Sequence, residues 1–536
     1  MSGLALLASL FSVFGPGPIT QGPISQGAAD RPNIIFIMSD DHASHAVSSY
    51  GSQVNLTPHI DRLAQEGVRF ANAFVTNSIC TPSRATLLTG KYSHQNGVPV
   101  FNRFDGSQQT VAKLLQASGY HTGMVGKWHL GSDPTGFDRW IVLPGQGRYV
   151  NPVFLTPEGR LTIDGYCTDV ITDLGLEFLN TRPKEKPFFL MLHHKAPHRE
   201  WTPSPQYREE FKHKTFREPD TLWDDYATRP AALPENAQTV AHDMTRRDLK
   251  LEPPADLKGR ELNQWLGTKP TEVDVTLPDG STKTLTGRDL AKWKYQRYMQ
   301  DYLACIQSMD DGIGRVLDYL DRSDLAKNTV VFYTADNGFF LGDHGMYDKR
   351  FMYEHSLRVP FLVRWPGVAK AAAVPAEFAL NVDSAPTFLE IAGLPVPADM
   401  QGRSLVPLLK GEAPAAWRES FYYRYYHDPG DHDTRSHLGV RTTTHKLVYY
   451  WKKDMWEMFD LVNDPDELNN IAGDSAHKAT FEKLRAELLR LKRELKDDDQ
   501  FADALPGGGG VYGNFAERGD LGQSDFIRAT AASVAK

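Results

Sequence analysis

Three continuous runs of apolar residues constrain the fold of this 536-residue chain more than any other feature. The runs occupy residues 32–38, 187–192 and 329–334. Such runs are typical of strands that are buried on both faces, as the strands of a parallel sheet are. Segments with helical spacing lie between them, including residues 57–67 and 288–322. The alternation predicts an α/β fold in which helices cover both faces of a mostly parallel sheet.

The character of the sequence changes after about residue 411. Short alternating or aromatic-rich segments follow, and then a helical pattern at residues 481–495, which together predict a small antiparallel sheet with one covering helix. The Pro-rich, charged segment 201–287 is predicted to pass over the active face. The predicted division is an N-terminal segment 1–29, a main domain 30–410, a C-terminal sheet subdomain 411–500 and a tail 501–536.

The N-terminal segment contains an apolar run, residues 4–14, followed by Gly, Pro, Ser and Gln. This pattern predicts a secretory signal, and therefore an exported protein that is periplasmic or secreted. A disordered N-terminal extension is the alternative. No other segment is apolar enough to predict a membrane span. The net charge of −8 does not indicate a basic surface that would bind nucleic acid.

Acidic and amide side chains follow two of the apolar runs. Asp40 and Asp41 come after the first run, and Asp336 and Asn337 come after the third. Ligand sites in open α/β sheets gather beyond the carboxyl ends of the strands, so these four side chains are expected to meet. Their oxygen atoms suit Ca²⁺ or Mg²⁺ and not zinc. For each pair by itself, the alternative is that its side chains stabilise a turn after the strand.

Basic and imidazole side chains are candidates for an anion site in the same crevice. The candidate cations are Arg84, Lys127, Lys195 and Lys349. Solvated surface groups are the alternative for isolated Lys and Arg residues. His129 and His198 are interpreted as acid/base groups beside an anion that would help to keep them protonated, and satisfied core histidines are the alternative.

The segment Cys80-Thr81-Pro82-Ser83-Arg84, continued by Thr89-Gly90, resembles the signature of the type I sulfatases. Segments 119–131, 195–198 and 342–349 resemble further sulfatase segments in the family order. The resemblance implies an alkaline-phosphatase-like core with a small C-terminal antiparallel domain. The other two cysteines, Cys167 and Cys305, are predicted to be buried free thiols.

The resemblance also implies the chemistry. In the family, the residue at Cys80 is oxidised by a separate maturation enzyme to formylglycine, whose hydrate is the nucleophile and forms a covalent sulfo-enzyme. One Ca²⁺ would be held by Asp40, Asp41, Asp336 and Asn337. The sulfate would be held by Arg84, Lys127 and Lys349. His198 would protonate the leaving alcohol, and His129 would accept the proton when sulfate is released.

The segment from His193 to Trp201 and the region around His437 look like parts of bacterial N-acetylglucosamine-6-sulfatases. The implied substrate is a sulfated carbohydrate, and the predicted reaction is hydrolysis of the 6-O-sulfate of N-acetylglucosamine. The candidate sugar contacts are Lys195, Trp201, His344, Arg435 and His437. For Arg435 and His437 the alternative is a role in joining the two domains, and for Trp201 it is packing in the core.

Three other functions stay open from the sequence. One is a sulfatase with another glycan or aryl specificity, and another is a phosphonate or phosphate monoester hydrolase on the same core. The third is a protein that does not catalyse a reaction, either a binder of sulfated glycans or a sulfatase in which Cys80 is not converted to formylglycine.

Overall fold

The computed structural model describes residues 31–412 and 414–507, together with the backbone of Asp520–Leu521. The predicted signal segment therefore lies outside the described residues, as does most of the tail. In the part of the chain that is described, none of the helices has the length and apolar character needed to cross a membrane. Among the described residues, the α-helices are α1 Pro58–Glu66, α2 Cys80–Thr89, α3 Ser93–Asn96, α4 Val111–Ala117, α5 Cys167–Thr181, α6 Pro205–Phe211, α7 Gly259–Leu266, α8 Gly287–Arg322, α9 Glu354–Leu357, α10 Ser384–Ile391, α11 Val406–Leu409 and α12 Lys478–Glu494.

The strands form one large sheet, a four-stranded C-terminal sheet and three two-stranded sheets. They are β1 Asn33–Ser39, β2 Val68–Arg69, β3 Ala73–Phe74, β4 His121–Lys127, β5 Arg139–Leu143, β6 Val153–Leu155, β7 Arg160–Thr162, β8 Phe188–His193, β9 Glu272–Thr276, β10 Thr282–Thr286, β11 Thr329–Ala335, β12 Phe340–Leu341, β13 Tyr347–Asp348, β14 Phe361–Arg364, β15 Ala379–Leu380, β16 Ser420–Tyr425, β17 His437–Thr442, β18 His445–Tyr450, β19 Met455–Asp460 and β20 Asp520–Leu521.

The three apolar runs form β1, β8 and β11, at the centre of the large sheet. The order of this sheet is β2-β14-β11-β1-β8-β4-β5-β6-β7-β20. The strands from β11 to β5 are parallel to one another, whereas β14, β2 and β6 pair antiparallel with their neighbours. Ser39 is opposite Ala335 in the β1–β11 register, so both strands end at the same edge of the sheet. The prediction of a mostly parallel sheet is confirmed.

Successive residues of β1 pack into different cores, as the side-chain alternation of a strand requires. Ile35 and Ile37 belong to the core that α1, α5 and α8 cover, whereas Ile34 and Phe36 belong to the core that α2, α4 and α10 cover. All four side chains are fully buried. The sheet is therefore sandwiched between two helical layers, and its polar chemistry is confined to the ends of the strands.

Strands β16 to β19 form the C-terminal antiparallel sheet in sequential order, and α12 packs Leu484 and Leu488 into its core. This part of the fold is also confirmed. The sequence analysis missed β19, because Glu457 interrupts its apolar pattern. The carboxylate of Glu457 is buried and accepts hydrogen bonds from the hydroxyls of Tyr353 and Tyr450 at 3.1 and 2.9 Å. The predicted boundary at residue 411, between α11 and β16, stays a prediction.

Two local features add detail to the predicted pattern. Residues 68–75 are apolar enough for a single strand, but the chain turns between β2 and β3, which pair with β14 and β15 respectively. The Pro-rich segment 201–287 contains α6, α7 and a hairpin in which β9 and β10 are joined across Asp279 and Gly280.

Candidate active site

The ends of β1 and β11 bring Asp40, Asp41, Asp336 and Asn337 together. All four are at most 1% exposed, and carboxylate oxygens of the three aspartates lie within 4.8 Å of one another. The backbone NH of Asp41 donates to Oδ1 of Asp336 at 3.1 Å, which fixes the two strand exits against each other. The four side chains therefore lie close together, as expected, because the two parallel strands end in the same register.

The donor set of this cluster fits a hard cation. Oδ1 of Asp40 and Oδ1 of Asn337 are buried and have no hydrogen-bond partner among the described residues. Burial, followed by the charge of Asp40, raises the pKa of Asp336 to about 7. Oxygen atoms from carboxylates and an amide are the ligands that Ca²⁺ and Mg²⁺ prefer, and the two oxygens without hydrogen bonds could bind such an ion.

Three buried cations surround the carboxylates. Nε and Nη2 of Arg84 donate to Oδ2 of Asp336 at 3.1 and 2.8 Å. Lys127 Nζ donates to Oδ2 of Asp40, and Lys349 Nζ donates to Oδ1 of Asp41. Each cation is at most 2% exposed. The interpretation of Arg84, Lys127 and Lys349 as solvated surface groups is therefore wrong.

Lys127 is placed by a tight turn at the end of β4. Gly126 has a φ of +96°, in the region that favours glycine, and a Cβ at this position would lie 2.0 Å from the carbonyl oxygen of His193. The carbonyl of Lys127 in turn accepts a hydrogen bond from Nη1 of Arg84 at 2.6 Å. Glycine at residue 126 thus lets the chain bring two of the three cations to the same side of the crevice.

Cys80 is the first residue of α2, and its thiol is buried at 1% exposure. Its Sγ lies with a carboxylate oxygen of Asp40 and a ring nitrogen of His198 in a group whose atoms are all within 4.8 Å of one another. Burial raises the pKa of the thiol to about 12, although Lys349 and Lys127 act in the opposite direction. An unmodified Cys80 would therefore carry almost no thiolate at neutral pH, and would be a poor nucleophile.

Of the two candidate acid/base histidines, His198 belongs to this group and His129 contacts Thr81, the residue after Cys80. Nε2 of His198 is 3.7 Å from Oδ2 of Asp41, and Nδ1 of His129 is 3.4 Å from Oγ1 of Thr81. Burial, and then the charge of Lys127, lowers the pKa of both rings well below the usual range. Without a bound anion, burial and the neighbouring cations favour the neutral form of both rings, so their protonation beside a bound anion stays a prediction.

Most of the candidate sugar contacts are buried and contact other parts of the chain. Trp201 is fully buried, with its ring 4.7 Å from the ring of Tyr298, so the alternative of core packing holds. His344 is also buried, with Nδ1 3.0 Å from Oδ2 of Asp224. These contacts give both side chains packing roles, and their direct contact with a sugar stays a prediction.

The two C-terminal candidates join parts of the chain. His437 is fully buried and stacks between Phe351 and Tyr423, with ring centroids 5.9 and 5.6 Å away. Arg435 pairs with Glu235 at 3.0 Å and with Asp428 at 3.4 Å. The joining role that the sequence left open accounts for both residues. Lys195 is buried too, with Nζ 4.7 Å from the ring centroid of Tyr149, and burial lowers its pKa to about 8.

A polar cluster beside Lys349 was missed by the sequence analysis. Arg350 donates to Oδ1 of Asp348 at 2.6 Å, and Nε2 of His432 lies 3.0 Å from the other oxygen of that carboxylate. Nη1 of Arg199 is 3.3 Å from the same ring nitrogen. The three consecutive charged residues 348–350 were a signal for this cluster in the sequence. The approach of His432 could not be seen, because it comes from the loop between β16 and β17.

A mostly parallel sheet that carries buried carboxylates, lysines and an arginine at its carboxyl edge defines an alkaline-phosphatase-like architecture. The Sulfatase family profile matches residues 32–394, and the profile "N-sulphoglucosamine sulphohydrolase, C-terminal" matches residues 342–494. The chain belongs to the sulfatase family, and it is an enzyme that hydrolyses sulfuric esters. Family members generally use a metal ion and formylglycine, which agrees with the acidic cluster and with the position of Cys80.

Similar proteins are known in bacteria and mammals. The chain is 44% identical to an N-acetylglucosamine-6-O-sulfatase of Bacteroides thetaiotaomicron, over 88% of each chain. It is 26% identical to the human N-acetylglucosamine-6-sulfatase, over 88% of this chain and 84% of that one. The solved structure of BT4656 with its substrate D-glucosamine-2-N,6-O-disulfate has a TM-score of 0.82 and 41% identity, and covers 88% of this chain and all of that one. A phosphonate monoester hydrolase of Agrobacterium radiobacter shares the fold, with a TM-score of 0.65 and 20% identity.

Proposed function

We propose that this sulfatase removes the 6-O-sulfate of N-acetylglucosamine from a sulfated carbohydrate. The observation that carries the proposal is the convergence of Arg84, Lys127 and Lys349 on the carboxylates beside Cys80. The choice of substrate is supported by the relatives that act on N-acetylglucosamine 6-sulfate and by the substrate bound in BT4656.

The proposed site contains Ca²⁺, bound by Asp40, Asp41, Asp336 and Asn337, and Cys80 in its formylglycine form. Mg²⁺ is the less favoured ion, because it demands stricter octahedral geometry and retains its waters. When bound, Ca²⁺ supplies positive charge against the sulfate oxygens, and hydrated formylglycine supplies the attacking hydroxyl together with a second one for release. Conversion of Cys80 needs a separate maturation enzyme, which is therefore a proposed partner. Export to the periplasm or beyond is proposed from the N-terminal sequence.

The chain's own cations bind and orient the sulfate. Arg84, Lys127 and Lys349 are fixed by buried carboxylates, so little reorganisation accompanies charge development at the sulfate oxygens. His198 is 14% exposed at its side chain, and a ring nitrogen of His198 lies in the same group as Cys80 Sγ. A bound sulfate would raise the pKa of His198 and so allow it to protonate the leaving ester oxygen. His129 accepts the proton lost when sulfate is released.

The cluster around Asp348 is the proposed sugar-binding side of the crevice. It adjoins Lys349 in the chain, and through Arg199 it adjoins His198. A sugar whose sulfate is held by Lys349 and whose leaving oxygen meets His198 must lie beside this cluster. Its carboxylate, guanidinium and imidazole groups can form charge-assisted hydrogen bonds to sugar hydroxyls.

We expect His432→Ala to lower kcat/KM for N-acetylglucosamine 6-sulfate at least tenfold, because a charge-assisted hydrogen bond contributes about 1.5–3 kcal/mol. Turnover of 4-nitrophenyl sulfate, which has no sugar, should change less than about threefold. His445→Ala, on the C-terminal sheet, is the matched control. An equal loss with both substrates, together with a lower Tm, would instead assign His432 a purely structural role.

The substrate is tested by desulfation of a panel of sulfated monosaccharides and oligosaccharides with protein purified from its native host. Release from N-acetylglucosamine 6-sulfate supports the proposal, whereas activity only on galactose, uronic acid or N-sulfate positions rejects it. Parallel assays with 4-nitrophenyl sulfate and 4-nitrophenyl phosphate separate a sulfatase from a phosphate or phosphonate ester hydrolase of the same fold.

A further inference from the structure

A second group of potential metal ligands lies outside the candidate active site. It consists of His45, Asp343 and His355, whose ligand atoms are all within 4.8 Å of one another. Nε2 of His45 is 3.2 Å from Oδ2 of Asp343, and Nε2 of His355 is 3.3 Å from Oδ1 of the same carboxylate. The side chains come from three separate segments: the 3₁₀ turn Ser44–Ala46, the 3₁₀ turn Asp343–Gly345 and helix α9.

The spacing of these atoms matches the coordination shell of a small transition-metal ion. Zinc binds imidazole nitrogen and carboxylate oxygen at about 2.0–2.2 Å, so neighbouring ligands in a tetrahedral site are about 3.3–3.5 Å apart. The nitrogen–oxygen distances, 3.2 Å from His45 to Oδ2 of Asp343 and 3.3 Å from His355 to Oδ1, are close to this value, so each imidazole lies at ligand spacing from one oxygen of the carboxylate. The carboxylate is held in place, because Oδ2 of Asp343 also accepts a hydrogen bond from the backbone NH of Leu341 at 2.8 Å.

The protonation states also favour a metal. Burial lowers the pKa of His355 to about 4, so its imidazole is neutral at neutral pH, which is the form that binds metal. Burial opposes ionisation of Asp343, but His355 and His45 hold the pKa of this carboxyl below its usual range. The cluster thus presents an ionised carboxylate and a neutral imidazole to an ion between them.

The cluster can be reached from outside and has room for a further ligand. A cavity of about 390 Å³ is lined by His45 and His355, and another of about 230 Å³ is lined by His45 and Asp343. The side chains of His45 and His355 are 34% and 21% exposed. A zinc ion with three protein ligands keeps a fourth position for water. The two cavities give the ion and this water access to the cluster.

We propose that His45, Asp343 and His355 form a site for Zn²⁺ or a similar transition-metal ion. Two nitrogen donors and one oxygen donor distinguish this site from the all-oxygen cluster around Asp40. The ion would join the segment that follows Asp41 to the hairpin that carries Lys349. The ion would stabilise these two segments, which lead to catalytic residues, and would not contact the substrate.

The test uses the full chain with its catalytic site kept saturated with Ca²⁺, to which Zn²⁺ or Co²⁺ is then added. We expect one equivalent of Zn²⁺ to bind, the Tm to rise, and Co²⁺ to give the visible absorption of a tetrahedral site. His45→Gln and His355→Gln should each weaken Zn²⁺ binding at least tenfold and remove the Tm increase. His213→Gln, at an exposed histidine after α6, is the matched control and should behave as the unsubstituted protein.

Two outcomes would overturn the proposal. One is the lack of stoichiometric binding by the unsubstituted protein, which would leave His45 and His355 as hydrogen-bonding partners of Asp343 only. The other is equal binding by the unsubstituted protein and both variants, which would place the ion at other histidines. His355 is more buried than His45, so the cobalt spectrum of the folded His45→Gln variant decides the result if His355→Gln does not fold.

Discussion

Replacement of Cys80 by alanine or serine is expected to lower turnover at least about a thousandfold, because either change removes the source of the nucleophile. Serine retains one hydroxyl but cannot supply the second one that releases sulfate. The measurement is kcat with 4-nitrophenyl sulfate and with N-acetylglucosamine 6-sulfate. The matched control is Cys167→Ala, which changes another buried free thiol and should leave turnover nearly unchanged.

The state of Cys80 can be read directly from the mass of the peptide that contains it. Active protein should carry the formylglycine mass, and the specific activity of different preparations should follow the converted fraction. Full activity of Cys80→Ser, or unmodified cysteine throughout an active preparation, would contradict the assignment. The high pKa of the buried thiol gives an independent reason to expect no catalysis by cysteine itself.

Removal of the metal with a chelator should lower turnover at least about a hundredfold, and Ca²⁺ should restore it. Within the cluster, Asn337→Ala removes one neutral oxygen ligand and should raise the Ca²⁺ concentration required at least tenfold. Asn337→Asp keeps an oxygen at this position and should require much less additional Ca²⁺. Asn469→Ala, at an exposed asparagine, is the surface control.

The metal content of the same protein samples is measured by elemental analysis. Full turnover by chelated protein that contains no metal would contradict the proposed role of the cluster. Loss of folding on chelation would show instead that the ion is needed for structure, and circular dichroism of the chelated protein distinguishes the two. The structural reason to expect an effect on catalysis is that Oδ1 of Asp40 and Oδ1 of Asn337 are buried and form no hydrogen bond within the described part of the chain.

Contacts between distant segments could not be predicted from the sequence. For Trp201 both sugar stacking and core packing were open, and only the structure shows that Tyr298 of α8 packs against its ring. The polar cluster around Asp348 was not predicted for the same reason, because His432 reaches it from the loop between β16 and β17. Sequence shows which side chains can bind sugar, but not which of them the fold leaves accessible.

The sequence by itself predicted the mostly parallel sheet, the nucleophile position and the ligand set, since each prediction depends on short-range patterns: apolar runs, the residues that follow them and the segment beginning at Cys80. The tertiary structure alone decided which cations meet which carboxylates, which histidines are neutral and which candidate contacts are buried. It also brought His45 to Asp343 and His355, about 300 residues further along the chain. The physical reason is that burial and charge pairing come from packing between distant segments, which local residue patterns do not record.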